Sequence, residues 1–101
     1  MHHGVDIASR RGTPIVATAR GIVTFSGMKG SYGKIVVISH GYGFSTLYGH
    51  NSVNVVKAGD RVERGDLIAY LGNTGRSTAP HVHYEVRLNR TPVNPTYYMI
   101  D

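Results

Sequence analysis

"KIVVISHGYGFSTLYGH", residues 34–50, is the stretch that decides the fold. Two runs rich in Val, Ile, Thr and Tyr, 34–40 and 44–50, flank "HGYG" at 40–43, a tight glycine turn. A connection this short folds the second run back beside the first, whereas parallel strands need a crossover of a dozen or more residues. The same grammar continues outward. Strands are expected at 13–19, 21–27, 52–56, 66–72 and 81–88, punctuated by thirteen glycines and four prolines. No 12-residue window carries sustained helical spacing. "NR" at 89–90 reads as a second two-residue hairpin, and "KAGDRVERGDLIAYLG" (57–72) repeats Gly-Asp six residues apart, each a turn signal. The expected fold is all-β, an antiparallel sandwich or roll.

With 101 residues the chain forms one domain with a modest core. Its 41% hydrophobic and 17% charged residues exclude a disordered tail. It has no cysteine, so any metal must be held by imidazole and carboxylate. No run of 18 apolar residues occurs and no signal-peptide pattern opens the chain. The start, "MHHGVD", falls almost inside a motif, which suggests a domain excised from a longer protein, with its export signal lying outside. The formal charge of +5 favours an anionic partner such as nucleic acid, a membrane surface or an acidic wall polymer. No basic stripe is interleaved with aromatics, so nucleic acid is not the expected partner.

Six histidines stand at informative spacings. In "HVHYEV" the strand alternation puts His81, His83 and Glu85 on one face, toward a cleft, and Val82, Tyr84 and Val86 on the other, with the two imidazoles roughly 7 Å apart. That pair suits a metal, or a metal plus a base, and equally two surface histidines; Glu85 reads as a solvated rim charge. In "HHGVD", His2 and Asp6 would lie ~13 Å apart on an extended strand and can share an ion only if the chain bends at Gly4. Along "FSTLYGH", Phe44, Thr46, Tyr48 and His50 share one face, which leaves His50 either structural or functional. His40, beside the turn, reads as a packing residue. Taken together, His2, Asp6 and His83 make a two-imidazole, one-carboxylate set with a fourth corner open to water, and His50 and His81 remain as proton handlers.

"HHGVDIA", "TLYGH" and "GRSTAPHVHYEV" resemble the lysostaphin/LytM-type zinc metalloendopeptidases, which cut peptide cross-links in bacterial peptidoglycan. The H-x-G-x-D, the single downstream histidine and the H-x-H appear in the family's order, and the resemblance runs from His2 to about Tyr98. It implies a β-roll of antiparallel sheets with a groove, of the duplicated-hybrid-motif or barrel-sandwich kind, also seen in a sugar phosphotransferase domain and echoed in lipoyl domains. The "VKAGDRVERGDLIA" stretch matches that shared element. It implies one Zn²⁺ per chain on His2, Asp6 and His83, with His81 as general base and His50 stabilising the oxyanion. His3 falls on a variable position. The loop "GNTGRSTAP" (72–80) is expected to wall the groove, with Asn73, Arg76, Ser77, Thr78 and Tyr48 as candidate substrate contacts.

By the same resemblance, the chain starts after a segment that usually packs beside the first ligand, and it would act in the periplasm, at the cell envelope or after secretion. "RLNRTPVNPTYY" (87–98) looks like the Gram-negative type, implying D-Ala–diaminopimelate cross-links. A non-catalytic relative that binds wall or activates a hydrolase would be expected to lack some of the ligands kept here. A histidine phosphocarrier has no use for Asp6, and Met28-Lys29-Gly30 lacks the context of a biotinyl or lipoyl attachment site.

Overall fold

Alternating apolar residues along the longest runs bury one face of a sheet whose strands all meet their neighbours antiparallel. In this computed structural model, residues 5–72, 80–88 and 91–93 are described, with side chains over 6–72 and 80–88. Nine strands are seen among them: β1 Val5–Ala8, β2 Pro14–Val16, β3 Gly21–Met28, β4 Lys34–Gly41, β5 Phe44–Asn54, β6 Arg61–Val62, β7 Leu67–Leu71, β8 His81–Leu88 and β9 Thr91–Val93. A single 3-10 turn, Gly30–Tyr32, joins β3 to β4. The sheet runs β1-β8-β5-β4-β3-β6; β2 pairs with β7, which leans on the far end of β5, and β9 pairs with β8. The all-β antiparallel expectation holds. No helix among the described residues is long and apolar enough to cross a membrane.

The hairpin at 34–50 is built as its sequence suggests. Gly41, Tyr42 and Gly43 all adopt positive φ, between 54° and 90°, a turn that glycine makes without strain. Its core face carries Val36, Ile38 and Tyr48, which pack with Val23, Ile68, Leu71, Val82, Tyr84 and Val86. His40 is structural, as expected: its Nδ1 lies 2.7 Å from the Arg20 carbonyl and its Nε2 2.7 Å from Thr46 Oγ1.

Three expectations change. The strand expected at 13–19 covers only Pro14–Val16, because Ala17 and Gly65 instead exchange bonds in a turn contact, Ala17 N–H donating to the Asp66 carbonyl and Gly65 N–H to the Ala17 carbonyl. The strands expected at 44–50 and 52–56 are one, β5, which leaves β4 and turns onto β7. Short β1, β6 and β9 offer too few alternations to be read from pattern alone. The hairpin expected at 89–90 lies outside the described residues, although Leu88 opposes Thr91 across it.

The Gly-Asp echo is structural. Asp60 Oδ2 accepts from Lys57 N–H at 3.0 Å, and Asp66 Oδ2 accepts from Glu63 N–H at 2.8 Å. Gly59 and Gly65 take φ of 97° and 88°, and each donates to a neighbouring segment, to Val23 and to Ala17. One six-residue unit is used twice to clip two different segments.

Candidate metal and catalytic site

β8 supplies the site because it is held on both sides. On one edge β5 sets Gly49 opposite His83; on the other β1 sets Asp6 opposite His83 and Ala8 opposite His81. Period-2 alternation then does what the sequence predicts: Val82, Tyr84 and Val86 are buried in the core, and His81 and His83 project from the other face. Register brings Asp6 directly to His83, with Oδ1 and Nδ1 2.7 Å apart. His81 Nε2 lies 3.7 Å from the same carboxylate oxygen.

His50 reaches this face by a bulge. Between the pairs Val36–Tyr48 and Lys34–Asn51, β4 advances two residues and β5 three, and His50 takes a φ of 63°. The extra residue flips the alternation. Asn51 Nδ2, donating back to the Tyr48 carbonyl at 3.0 Å, holds the kink. The His50 ring therefore packs against His81, with centroids 4.7 Å apart, and lies 6.2 Å from His83. The expected sharing of a face by Tyr48 and His50 is thus corrected, and so is Tyr48 as a groove residue. Tyr48 is 2% exposed and stacks on Tyr84 in the core, with its hydroxyl 2.9 Å from both Thr18 Oγ1 and Thr46 Oγ1.

Glu85 is the residue that the sequence misjudges. Expected at a wet rim, it is fully buried. Tyr32, on the 3-10 turn, closes over it and donates to Oε2 at 2.7 Å; Arg87 Nε donates to Oε1 at 2.9 Å; His83 Nε2 meets Oε2 at 2.8 Å. Burial pushes this carboxyl up, but the hydrogen bonds from His83, Tyr32 and Arg87 outweigh it and bring the value down to about 2. Glu85 is therefore an anion at neutral pH. Its bond to His83, joined by that of Asp6, raises the imidazole above its ordinary value against the opposing effect of burial. Only the i+2 spacing from His83 could have hinted at this contact; Tyr32 lies 53 residues away in sequence.

Positive charge is favoured where Asp6 meets His83. Ionised Glu85 only accepts, so His83 Nε2 must carry a proton, and Nδ1 faces a second acceptor, Asp6 Oδ1. Two acceptors 2.7 Å apart are stable only with a proton or a metal ion between them. An imidazole nitrogen and a carboxylate oxygen, with no thiolate, form a donor set that fits zinc. His2, the third expected ligand, lies outside the described residues, as do Gly4 and the loop residues Asn73, Arg76, Ser77 and Thr78. Among the described residues no group of three ligands is assembled. The loop leaves from Gly72 and returns at His81, whose N–H donates to the Gly72 carbonyl at 3.1 Å.

Comparison with known proteins agrees with this architecture. The catalytic domain of the antimicrobial peptidase lysostaphin from Staphylococcus simulans superposes with a TM-score of 0.92 at 33% identity, over 98% of this chain and 79% of that one. A zinc-containing peptidase from Vibrio cholerae gives 0.87 at 39% identity, over 91% of this chain and 28% of that one. The DD-carboxypeptidase/endopeptidase Mpg of Neisseria meningitidis serogroup B is 50% identical over 95 residues, which is 94% of this chain. The chain spans 22% of that relative's length. The family model for peptidase family M23 matches residues 1–95, and with it the fold, the H-x-H strand and the carboxylate beside it fall into place: this chain is a member of peptidase family M23.

Proposed function

We propose that the chain is the catalytic domain of a zinc-dependent endopeptidase that hydrolyses peptide cross-links of bacterial peptidoglycan. His2, Asp6 and His83 would hold the metal, and His81 and His50 would carry the proton and charge transfers. The observation that carries this reading is the single face on which Asp6, His50, His81 and His83 converge, with an imidazole nitrogen and a carboxylate oxygen 2.7 Å apart as a ready pair of metal donors. The zinc-containing relative supports the choice of metal.

Bound zinc supplies Lewis acidity, activating a water and polarising the scissile carbonyl. The chain's residues do the rest. His81, 3.7 Å from Oδ1 of Asp6, would take the proton of the attacking water and return it to the leaving amine. His50, packed on His81 and 7% exposed, donates to the negative charge that develops on the carbonyl oxygen. Its bulged backbone fixes that position before substrate arrives. The segment 72–80, which begins at Gly72, whose carbonyl accepts from His81 N–H, is the proposed groove wall.

The D-Ala–diaminopimelate cross-link is the proposed bond, supported by the name of the Neisseria relative, a DD-carboxypeptidase/endopeptidase. The charge of +5 suits an anionic wall polymer, and the cell envelope is the corresponding location. The test is metal analysis of the purified chain together with mass spectrometry of digests of directly cross-linked and glycine-bridged peptidoglycan. One zinc per chain and dimeric muropeptides resolved into monomers at the D-Ala–diaminopimelate bond are expected. A zinc-loaded chain that leaves both substrates intact would refute the reading.

A further inference from the structure

We propose that Glu85, clamped by Tyr32 and Arg87, is a positioning residue that sets which nitrogen of His83 is offered to the metal. The inference rests on the reading of Asp6 and His83 as ligands. Its basis is the asymmetry of the carboxylate's partners. Arg87 can only donate, and it takes Oε1 at 2.9 Å. Oε2 is left to the Tyr32 hydroxyl at 2.7 Å and His83 Nε2 at 2.8 Å. All three partners must therefore donate, so His83 keeps a proton on Nε2, and Nδ1, facing Asp6, is the only nitrogen that can give up its proton to a metal. The clamp is buried, with Glu85 0% exposed, so losing one of its bonds leaves a polar group unpaired in the interior. Tyr32 adds a packing restraint, its ring lying 5.4 Å from that of His83. It is delivered by a turn whose flanking glycines, Gly30 and Gly33, take φ of 49° and 69°. Carboxylates in this relation to a metal-bound imidazole typically change metal affinity by about 10–100-fold when replaced.

The geometry makes an unusual demand of the isosteric variant Glu85→Gln. Its amide must give its oxygen to Arg87, since an NH₂ there would meet another donor. The NH₂ group then faces His83 Nε2 and donates to it, which moves the imidazole proton to Nδ1 and blocks the ligand position. Removing Arg87's demand in the double variant Glu85→Gln/Arg87→Met frees the amide to turn its oxygen to His83. Zinc affinity measured by chelator competition should fall about 10–100-fold or more in Glu85→Gln and recover by at least several-fold in the double variant. Tyr32→Phe should show a smaller, few-fold loss.

¹⁵N NMR of the imidazoles in the metal-free wild-type chain at a pH where His83 is neutral should place its proton on Nε2, and this readout does not depend on any variant folding. A folded Glu85→Gln with wild-type zinc affinity, a double variant no better than the single one, or a proton found on Nδ1 would each overturn the proposal. Failure of the underlying reading looks different: Asp6→Ala and His83→Ala would then keep their zinc.

Discussion

Acidifying the metal-free chain should remove a defined part of its stability through one carboxylate. Glu85 has an ordinary value of 4.5 and is brought to about 2 in the fold. A depressed carboxyl contributes stability that is fully present above the unfolded value and is lost as pH falls toward the folded one. The window is therefore from roughly pH 5 down to about 2. At about 1.4 kcal/mol per pH unit, the gap is worth about 3 kcal/mol, a large share of the ~5–15 kcal/mol that a domain usually holds. His83 acts in the opposite sense. Its raised value stabilises the metal-free fold below the unfolded value of 6.5 and is lost as pH rises through the folded one. The metal-free chain should thus be most stable in mildly acidic solution, with a fall on either side. The assay is urea denaturation in the presence of a chelator at half-unit pH steps from 2 to 9, with Glu85→Gln as the reference to cancel other titrating groups. If the wild-type and Glu85→Gln profiles run parallel between pH 5 and 2, the buried clamp around Glu85 is not as described.

Three further outcomes are expected. His81→Ala should abolish peptidoglycan cleavage, read by muropeptide mass spectrometry, while metal analysis still finds about one zinc per chain; loss of the metal would show that His81 is a ligand. Tyr48→Phe removes a hydroxyl shared by Thr18 and Thr46 in the core and should cost about 1–3 kcal/mol in denaturant unfolding, with cleavage per folded molecule retained. Gly72→Ala places a Cβ 2.6 Å from both the Cβ and the backbone nitrogen of Ser52, so β5 and the end of β7 must part. A loss of about 2–4 kcal/mol or failure to fold is expected, read by thermal unfolding.

Much of the site follows from period-2 alternation, and the parts that do not have identifiable causes. His81 and His83 were legible as a same-face pair because β8 is regular from His81 to Leu88 and paired on both edges. Asp6 was legible as a motif residue, but its arrival depends on the register between β1 and β8, which four residues do not announce. His50 and Tyr48 were placed on one face because nothing in "TLYGH" marks a bulge. It is the pairing of β5 with β4 and the side chain of Asn51 that insert it. Glu85 looked like a rim charge because burial of a carboxylate depends on partners distant in sequence; its cover, Tyr32, comes from the turn between β3 and β4. The fold class was plain from the hairpin at 34–50. The continuation of β5 onto β7 was not, because Asn51 fell between two expected strands, whereas the side chains of Asn51 and Ser52 bind backbone groups there.

The placement of Asp6 has a thermodynamic corollary. β1 is four residues long and, among the described residues, pairs only with β8, so few hydrogen bonds hold it down. An ion held by Asp6 and His83, as proposed, would bind only conformations in which that strand is docked, and by mass action it would tighten the docking it depends on. On the proposed reading, loading and the seating of β1 would be reciprocal: a chelator that strips the ion would also loosen the seam, and a change that frays the seam would weaken the grip on the ion by the same factor.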